Sequence, residues 1–169
     1  MLPIHTIIHP TDFSDRSAHA FRLACALARD YRARLIVLHV WWPHTAAFGE
    51  LGPMLQPDEG YDLTETKQKL HRLQPPDSAV GVEHRLEEGD PATAILGLAE
   101  AVKADLIVMG THGRTGLSRL LMGSVAEKVV RRAECPVVTV KTSFPNVEPP
   151  VNAAVKAVVK EPLEEMVKG

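Results

Sequence analysis

The chain has 169 residues, enough for one domain with a substantial buried core. Its residues are 45% hydrophobic and 24% charged, and a formal net charge of −2 gives no basic surface for nucleic acid or an anionic membrane. The two cysteines form neither a disulfide framework nor a zinc-binding spacing. The first residues lack the features of a signal peptide, and no apolar run approaches the roughly 18 residues of a membrane span. We therefore expect a cytoplasmic protein without a membrane or nucleic-acid partner.

Short apolar runs alternate with amphipathic stretches along the chain. The apolar runs have the length of strands and lie at residues 4–9, 34–40, 80–86, 106–109 and 136–140. The amphipathic stretches have helical spacing, and they lie after Ser14, at 62–73, after Asp90 and at 124–132. The third strand alternates polar and apolar residues, as strands near a sheet edge do. This alternation predicts an α/β protein, a single-domain, five-stranded parallel sheet with helices on both faces.

Two segments depart from the alternation. Residues 41–60 form a long connection rich in proline and glycine, which is either a variable surface loop or a lid or partner surface. Its large apolar side chains are Trp41, Trp42, Phe48 and Met54. After residue 142, a proline-bearing linker leads into a weakly amphipathic stretch. We therefore divide the chain into a domain at 1–142 and a C-terminal linker and tail at 143–169.

Three segments lie at the carboxyl ends of predicted strands, at residues 10–12, 40–41 and 110–111. In parallel α/β sheets, ligands bind beyond these ends, at the point where the strand order reverses. We therefore expect the three segments to line one crevice.

Glycines follow the fourth strand at Gly110, Gly113 and Gly123, and Ser124 opens the next helix. Glycine lets the backbone approach an anion closely, and a helix N-terminus offers free N–H groups and the positive end of the helix dipole. The pattern predicts a phosphate site. A simpler interpretation, in which the glycines turn the chain and Ser124 is the N-cap, is compatible with it.

The spacing Gly110-x2-Gly113-x9-Gly123-Ser124 lacks the lysine of a Walker A motif and the Gly-x-Gly-x-x-Gly of a Rossmann fingerprint. It resembles the signature of the ATP-binding branch of the universal stress protein family. The segments PTDFS at 10–14, LHV at 38–40 and GTHG at 110–113 are similar to the same family, and the resemblance covers residues 2–141. It implies a Rossmann-like fold with strand order 3-2-1-4-5, and a homodimer paired through the last strand at 137–140.

The resemblance also implies a site for ATP, or for ADP or AMP, with Mg²⁺ accompanying the nucleotide. Asp12 would accept hydrogen bonds from the ribose hydroxyls, Val40 would bind adenine through its backbone, and Gly110 would lie close to the ribose. The glycine loop and the start of the following helix would hold the phosphates. The expected binding residues are Pro10, Thr11, Asp12, Val40, Met109, Gly110, Gly113, Arg114, Gly123, Ser124, Val125 and Ala126.

Several alternatives stay open. Asp12 has a second interpretation, capping of the first helix from just outside it, and Arg114 either screens phosphate or faces solvent. His9 and His39 are expected to be packed beside the strands. We single out no catalytic residue and no metal site on the protein. For the whole protein, the alternatives to a nucleotide-binding regulator are a dimeric interaction protein without nucleotide and a slow ATP hydrolase.

Overall fold

The computed structural model of the protein describes residues 3–42, 62–111 and 123–141. The five strands are β1 (Thr6–Thr11), β2 (Arg34–Trp41), β3 (Val82–Glu88), β4 (Leu106–Gly110) and β5 (Val137–Val140). The four helices are α1 (Asp15–Tyr31), α2 (Leu63–His71), α3 (Pro91–Val102) and α4 (Ser124–Arg132). The predictions for most of the 41–60 connection, for residues 112–122 of the glycine loop and for the tail lie outside the described residues.

All neighbouring strands pair in parallel, in the order β3-β2-β1-β4-β5. The expected fold class and strand order are therefore confirmed, as is the position of β3 at an edge. Strand β3 begins and ends two residues later than the sequence predicts, and Val80 is buried just before it.

The helices cover both faces of the sheet. Alternate residues of the central strands point to opposite faces, as the pleat of a strand requires. On one face, Ile7 and Val108 pack with the apolar residues of α1. On the other, Ile8 and Ile107 pack with residues of α3 and α4. Among the described residues, no helix is long and apolar enough to cross a membrane.

Two predicted helix starts are confirmed by their caps. The Ser14 hydroxyl accepts a hydrogen bond from the Ser17 N–H at 3.2 Å, and α1 begins at the next residue. The Asp90 carboxylate accepts from the Thr93 N–H and hydroxyl, at 3.0 and 2.7 Å, and Pro91 is the first residue of α3. Each side chain satisfies a backbone donor that has no partner within the helix.

Strand β1 begins and ends two residues later than the sequence predicts. Proline usually ends a central strand, because it has no N–H to give to the ladder, so the predicted strand stops at His9. In the structure β1 continues through Pro10 to Thr11, paired with β2 along its whole length. Pairing with β2 continues because the backbone of Pro10 faces β4, so its missing N–H removes no bond to β2.

Candidate functional site

A crevice opens between β1 and β4 at their carboxyl ends. The two strands pair only at Ile7–Leu106 and Ile8–Ile107. Beyond these pairs β1 stays with β2 as far as Thr11, and β4 stays with β5 as far as Gly110. Since α1 follows β1 on one face and α4 follows β4 on the other, no helix of the described residues fills the gap. This is the reversal of strand order at which the sequence places a site.

The crevice contains a cavity of about 270 Å³, close to the lower limit of roughly 300 Å³ for small-molecule sites. Every expected binding residue that the structure describes lines it. These residues are Pro10, Thr11, Asp12, Val40, Met109, Gly110, Gly123, Ser124, Val125 and Ala126. Gly113 and Arg114, the other two expected residues, lie outside the described residues. The structure thus brings together residues from three separate strand ends and one helix N-terminus.

Sequence reasoning missed part of the wall. The additional lining residues are Ser17, Leu38, His39, Pro91 and Ile95. Thr111, from one of the three strand-end segments, lines the cavity as expected. Leu38 is two residues before Val40, so the alternation of β2 could have indicated that both face the same side. Pro91 and Ile95 come from α3, the helix that connects β3 to β4. Because β3 and β4 lie on opposite sides of the β2–β1 pair, this helix crosses the central strands and reaches the site.

Asp12 carries the most distinctive polar group of the cavity. One carboxylate oxygen, Oδ1, accepts from the Ser14 N–H at 3.1 Å and from the Ser14 hydroxyl at 2.7 Å. The capping interpretation is therefore correct for that oxygen, which holds the N-cap serine of α1. The other oxygen, Oδ2, is buried and has no hydrogen-bond partner within the described part of the chain. A buried carboxylate oxygen without a donor is costly, and a ligand donor would remove that cost.

The backbone around Asp12 is held in an unusual shape. Phe13 has a φ of 63°, a left-handed conformation that costs about 1–2 kcal/mol for a residue with a side chain. Its N–H donates to the Thr11 hydroxyl at 3.1 Å, and its ring lies against that of His39, with 4.5 Å between centroids. The His39 Nδ1 atom lies 2.7 Å from the Thr11 carbonyl oxygen. Contacts on both sides of Asp12 thus offset the strain.

His9 lies beneath this loop, with no exposed surface. Its Nδ1 atom is 2.9 Å from the carbonyl oxygen of Val108 on β4. Backbone groups of successive residues in a strand point to opposite neighbouring strands. The Ile107 N–H bonds to the β5 side, so the Val108 carbonyl faces β1. The β1 residue that would supply an N–H there is Pro10, which has none, and the His9 ring supplies it instead. Burial lowers the pKa of His9 to about 4, although the Val108 carbonyl and the Asp12 charge act in the opposite direction.

The N-terminus of α4 forms the opposite wall. The N-cap is Gly123, without a side-chain hydrogen bond, and Ser124 is the first residue of the helix. The interpretation of Ser124 as the N-cap was therefore wrong by one residue. The N–H groups of the first helical turn have no acceptor inside a helix, and here they belong to lining residues. Such groups can bind an anion.

Gly110 has a packing role that the sequence does not reveal. A Cβ atom at this position would lie 3.3 Å from the Arg16 carbonyl carbon and the Ser17 nitrogen of α1. A larger residue would therefore push the first turn of α1 away from β4. Gly110 also lines the cavity, so the close packing of α1 shapes the site.

The strand order, the crevice at its reversal point and the anion-binding helix end define a class, the open α/β proteins that bind ligands at strand ends. The family model of the universal stress protein family matches residues 3–141. The chain belongs to the universal stress protein family.

Relatives and solved structures agree with this assignment. The universal stress protein MJ0531 of Methanocaldococcus jannaschii is 37% identical over 142 residues, which cover 80% of this chain and 81% of the relative. A universal stress protein in complex with cAMP matches with a TM-score of 0.56 and 30% identity, over 83% of this chain and 99% of that one. The universal stress protein of Archaeoglobus fulgidus in complex with dAMP matches with a TM-score of 0.57 and 27% identity, over 83% and 100%.

Proposed function

We propose that the crevice binds an adenine nucleotide, with ATP as the preferred ligand, and that the protein acts as a nucleotide-dependent regulator in a stress response. The observation that carries this proposal is the buried Oδ2 of Asp12, which has no hydrogen-bond partner among the described residues and shares a cavity with the first turn of α4. The N–H groups of that turn have no acceptor within the helix. The first group accepts hydrogen bonds and the second donates them. A nucleotide offers hydroxyl donors on its ribose and acceptors on its phosphates, so it fits both.

The remaining wall suits a base. Leu38, Val40, Ile95 and Met109 supply an apolar surface beside the polar ends of the cavity. Ligand sites commonly combine such a surface with a few polar groups that fix orientation. In the proposed arrangement adenine lies against this apolar wall, the ribose lies at Asp12, and the phosphates lie at the start of α4.

The two nucleotide complexes among the relatives support the coarser part of the proposal. Both cAMP and dAMP contain adenine, a pentose and one phosphate. The preference for a triphosphate comes from the Gly110-x2-Gly113-x9-Gly123-Ser124 resemblance. No three His, Cys, Asp or Glu side chains come together within the described ranges, so we assign Mg²⁺ to the phosphates of the nucleotide.

A binding experiment tests the proposal. Nucleotide is first extracted from freshly purified, denatured protein and identified, and Mg²⁺–ATP is then titrated into the purified protein by calorimetry. Asp12→Asn replaces the free acceptor by a donor of nearly the same shape, so ATP affinity should fall about 10- to 100-fold, as expected for losing hydrogen bonds to a charged group. Asp15→Asn is the matched control, because it removes the same charge from an exposed residue outside the cavity lining.

The results separate the two main alternatives. ATP binding that Asp12→Asn weakens and Asp15→Asn does not would place the ribose at Asp12. A folded wild-type protein that binds no adenine nucleotide would overturn the proposal and favour an interaction protein without nucleotide. Equal losses in both variants would show a general effect of charge rather than a site.

We also propose that the protein is a homodimer that pairs through β5. This strand is at the edge of the sheet, bonded to β4 on one side and to no strand on the other among the described residues. Val137 and Val138 are half-buried there, and an apolar edge strand is usually covered or paired.

The family match at 3–141 supports our division of the chain into a domain at 1–142 and a tail at 143–169.

A further inference from the structure

We propose that His9 is a positioning residue for the ribose-binding carboxylate of Asp12, and that it acts through Ser17 and Thr11. This inference rests on the proposed nucleotide function and extends it to a residue that the ligand cannot touch. His9 has no exposed surface and is not among the residues that line the cavity. Any effect of His9 on ligand selectivity must therefore pass through its neighbours.

The His9 ring has a fixed orientation. Nδ1 faces the Val108 carbonyl at 2.9 Å, and a carbonyl can only accept, so Nδ1 carries the proton of the neutral ring. The unprotonated Nε2 atom then faces the Ser17 hydroxyl, 3.4 Å away. The single Ser17 proton goes to Thr11, so this contact is packing between two buried groups and not a hydrogen bond. The ring thus forms one side of the pocket that holds the Ser17 hydroxyl.

Ser17 transmits this orientation to the loop. Its hydroxyl donates to the Thr11 Oγ1 at 2.9 Å, and the same Oγ1 accepts from the Phe13 N–H at 3.1 Å. Thr11 and Phe13 immediately precede and follow Asp12, and Phe13 is in the left-handed conformation. Such a conformation persists only while surrounding contacts enforce it. The chain of contacts from His9 therefore helps to fix the backbone that aims Asp12.

Asp12 depends on that backbone for its function. Its Oδ1 is bonded to Ser14, so a rotation of the loop changes the direction of Oδ2, the oxygen proposed to accept from the ribose. Weakening the contacts that run from His9 through Ser17 to Thr11 should reduce recognition of the ribose hydroxyls. It should leave the apolar base wall and the start of α4 unchanged.

The test compares two ligands, Mg²⁺–ATP and Mg²⁺–2′,3′-dideoxy-ATP, which lacks both ribose hydroxyls. Calorimetry gives both dissociation constants for the wild type, His9→Asn, Ser17→Ala and the double variant. Asparagine can still donate to the Val108 carbonyl but lacks the Nε2 atom. His84→Gln is the control, since the His84 ring also bonds a backbone carbonyl, that of Leu73 at 2.8 Å, away from the cavity.

We expect ATP affinity to fall roughly three- to tenfold in Ser17→Ala, the range for one neutral hydrogen bond, and by a smaller factor in His9→Asn, which removes only a packing contact. Dideoxy-ATP affinity should stay unchanged. The double variant should lose no more ATP affinity than the weaker-binding single variant, because the two residues act through the same series of contacts. Thermal unfolding of each variant identifies any that does not fold, and Ser17→Ala is the smaller change if His9→Asn fails.

Other results would overturn the inference. Equal weakening of both ligands would mean that His9 and Ser17 only stabilise the fold. Unchanged affinity for ATP in Ser17→Ala would mean that the contacts through Ser17 do not position Asp12. A wild type that binds ATP and dideoxy-ATP equally would exclude ribose recognition, and with it this inference, while leaving nucleotide binding intact. A wild type that binds neither would overturn the proposed function itself.

Discussion

The buried His9 ring should make the stability of the protein depend on pH. In the unfolded chain His9 has its ordinary pKa of 6.5, whereas burial lowers it to about 4 in the folded protein. Between these values the unfolded state binds a proton that the folded state does not. The contribution of the neutral, buried His9 ring to the free energy of unfolding is therefore fully present above about pH 6.5 and is lost as the pH falls towards 4.

The magnitude follows from the two pKa values of 6.5 and about 4. Each pKa unit corresponds to 1.36 kcal/mol, so acidification from pH 7 to pH 4 should lower the free energy of unfolding by about 3 kcal/mol through His9 alone. That is a large part of the 5–15 kcal/mol typical of a small domain. His19 also has a lowered pKa, because of partial burial and the nearby Arg22, and contributes in the same direction.

Urea unfolding at pH 7, 6, 5 and 4 measures this dependence in the wild type and in His9→Asn. Asparagine does not titrate, so the contributions of His19 and the carboxylates, which both proteins share, cancel in the difference between the two curves. The wild type should lose about 3 kcal/mol more than the variant between pH 7 and pH 4. Parallel curves would refute the reasoning, because they would show that His9 has the same pKa in the folded and the unfolded protein.

Three further changes have defined outcomes. Gly110→Ala should destabilise the protein by about 1–3 kcal/mol in urea unfolding, because its Cβ would meet the backbone of α1. The control is Gly97→Ala, where a Cβ meets nothing, and it should be neutral or stabilising by up to about 1 kcal/mol. Asp105→Ala should cost about 1–2 kcal/mol, since its carboxylate accepts from two backbone N–H groups at the start of β1, at 2.8 and 2.9 Å; an unchanged urea midpoint would contradict this. Thr139→Pro should give a monomer by light scattering and Thr139→Val a dimer, because only proline removes an N–H from the outer edge of β5; a dimer in both would exclude pairing through this edge.

Much of the fold follows from the sequence because the local signals agree with one another. The run at 34–40 is nearly continuous in apolar residues and the run at 106–109 is apolar along its whole length, as is typical of strands covered on both faces. Asp90 and Pro91 specify a helix start through a hydrogen bond and a fixed φ, both of which are local. The expected binding residues come together because the carboxyl ends of parallel strands lie at the same edge of the sheet.

The features that the sequence did not reveal depend on distant contacts. Strand β1 continues past Pro10 because the missing N–H faces β4 and not β2, and the Val108 carbonyl on β4, 99 residues from His9, takes its hydrogen bond from the His9 side chain. The packing role of Gly110 depends on how closely α1 approaches β4. The position of Ser124 was missed by one residue, since glycine and serine are both acceptable N-caps and only the backbone conformation distinguishes them.

Pro10 and His9 together explain why this protein has a crevice rather than a closed sheet at this point. If residue 10 had an N–H group, β1 and β4 could add a further ladder bond and stay together beyond Ile8 and Ile107. Proline prevents that bond, and the His9 ring satisfies the exposed Val108 carbonyl without bringing the two backbones closer. The strands can then separate without leaving that buried carbonyl unpaired. The same two residues that break the strand pattern in the sequence thus hold open the space that Asp12 and the N-terminus of α4 line.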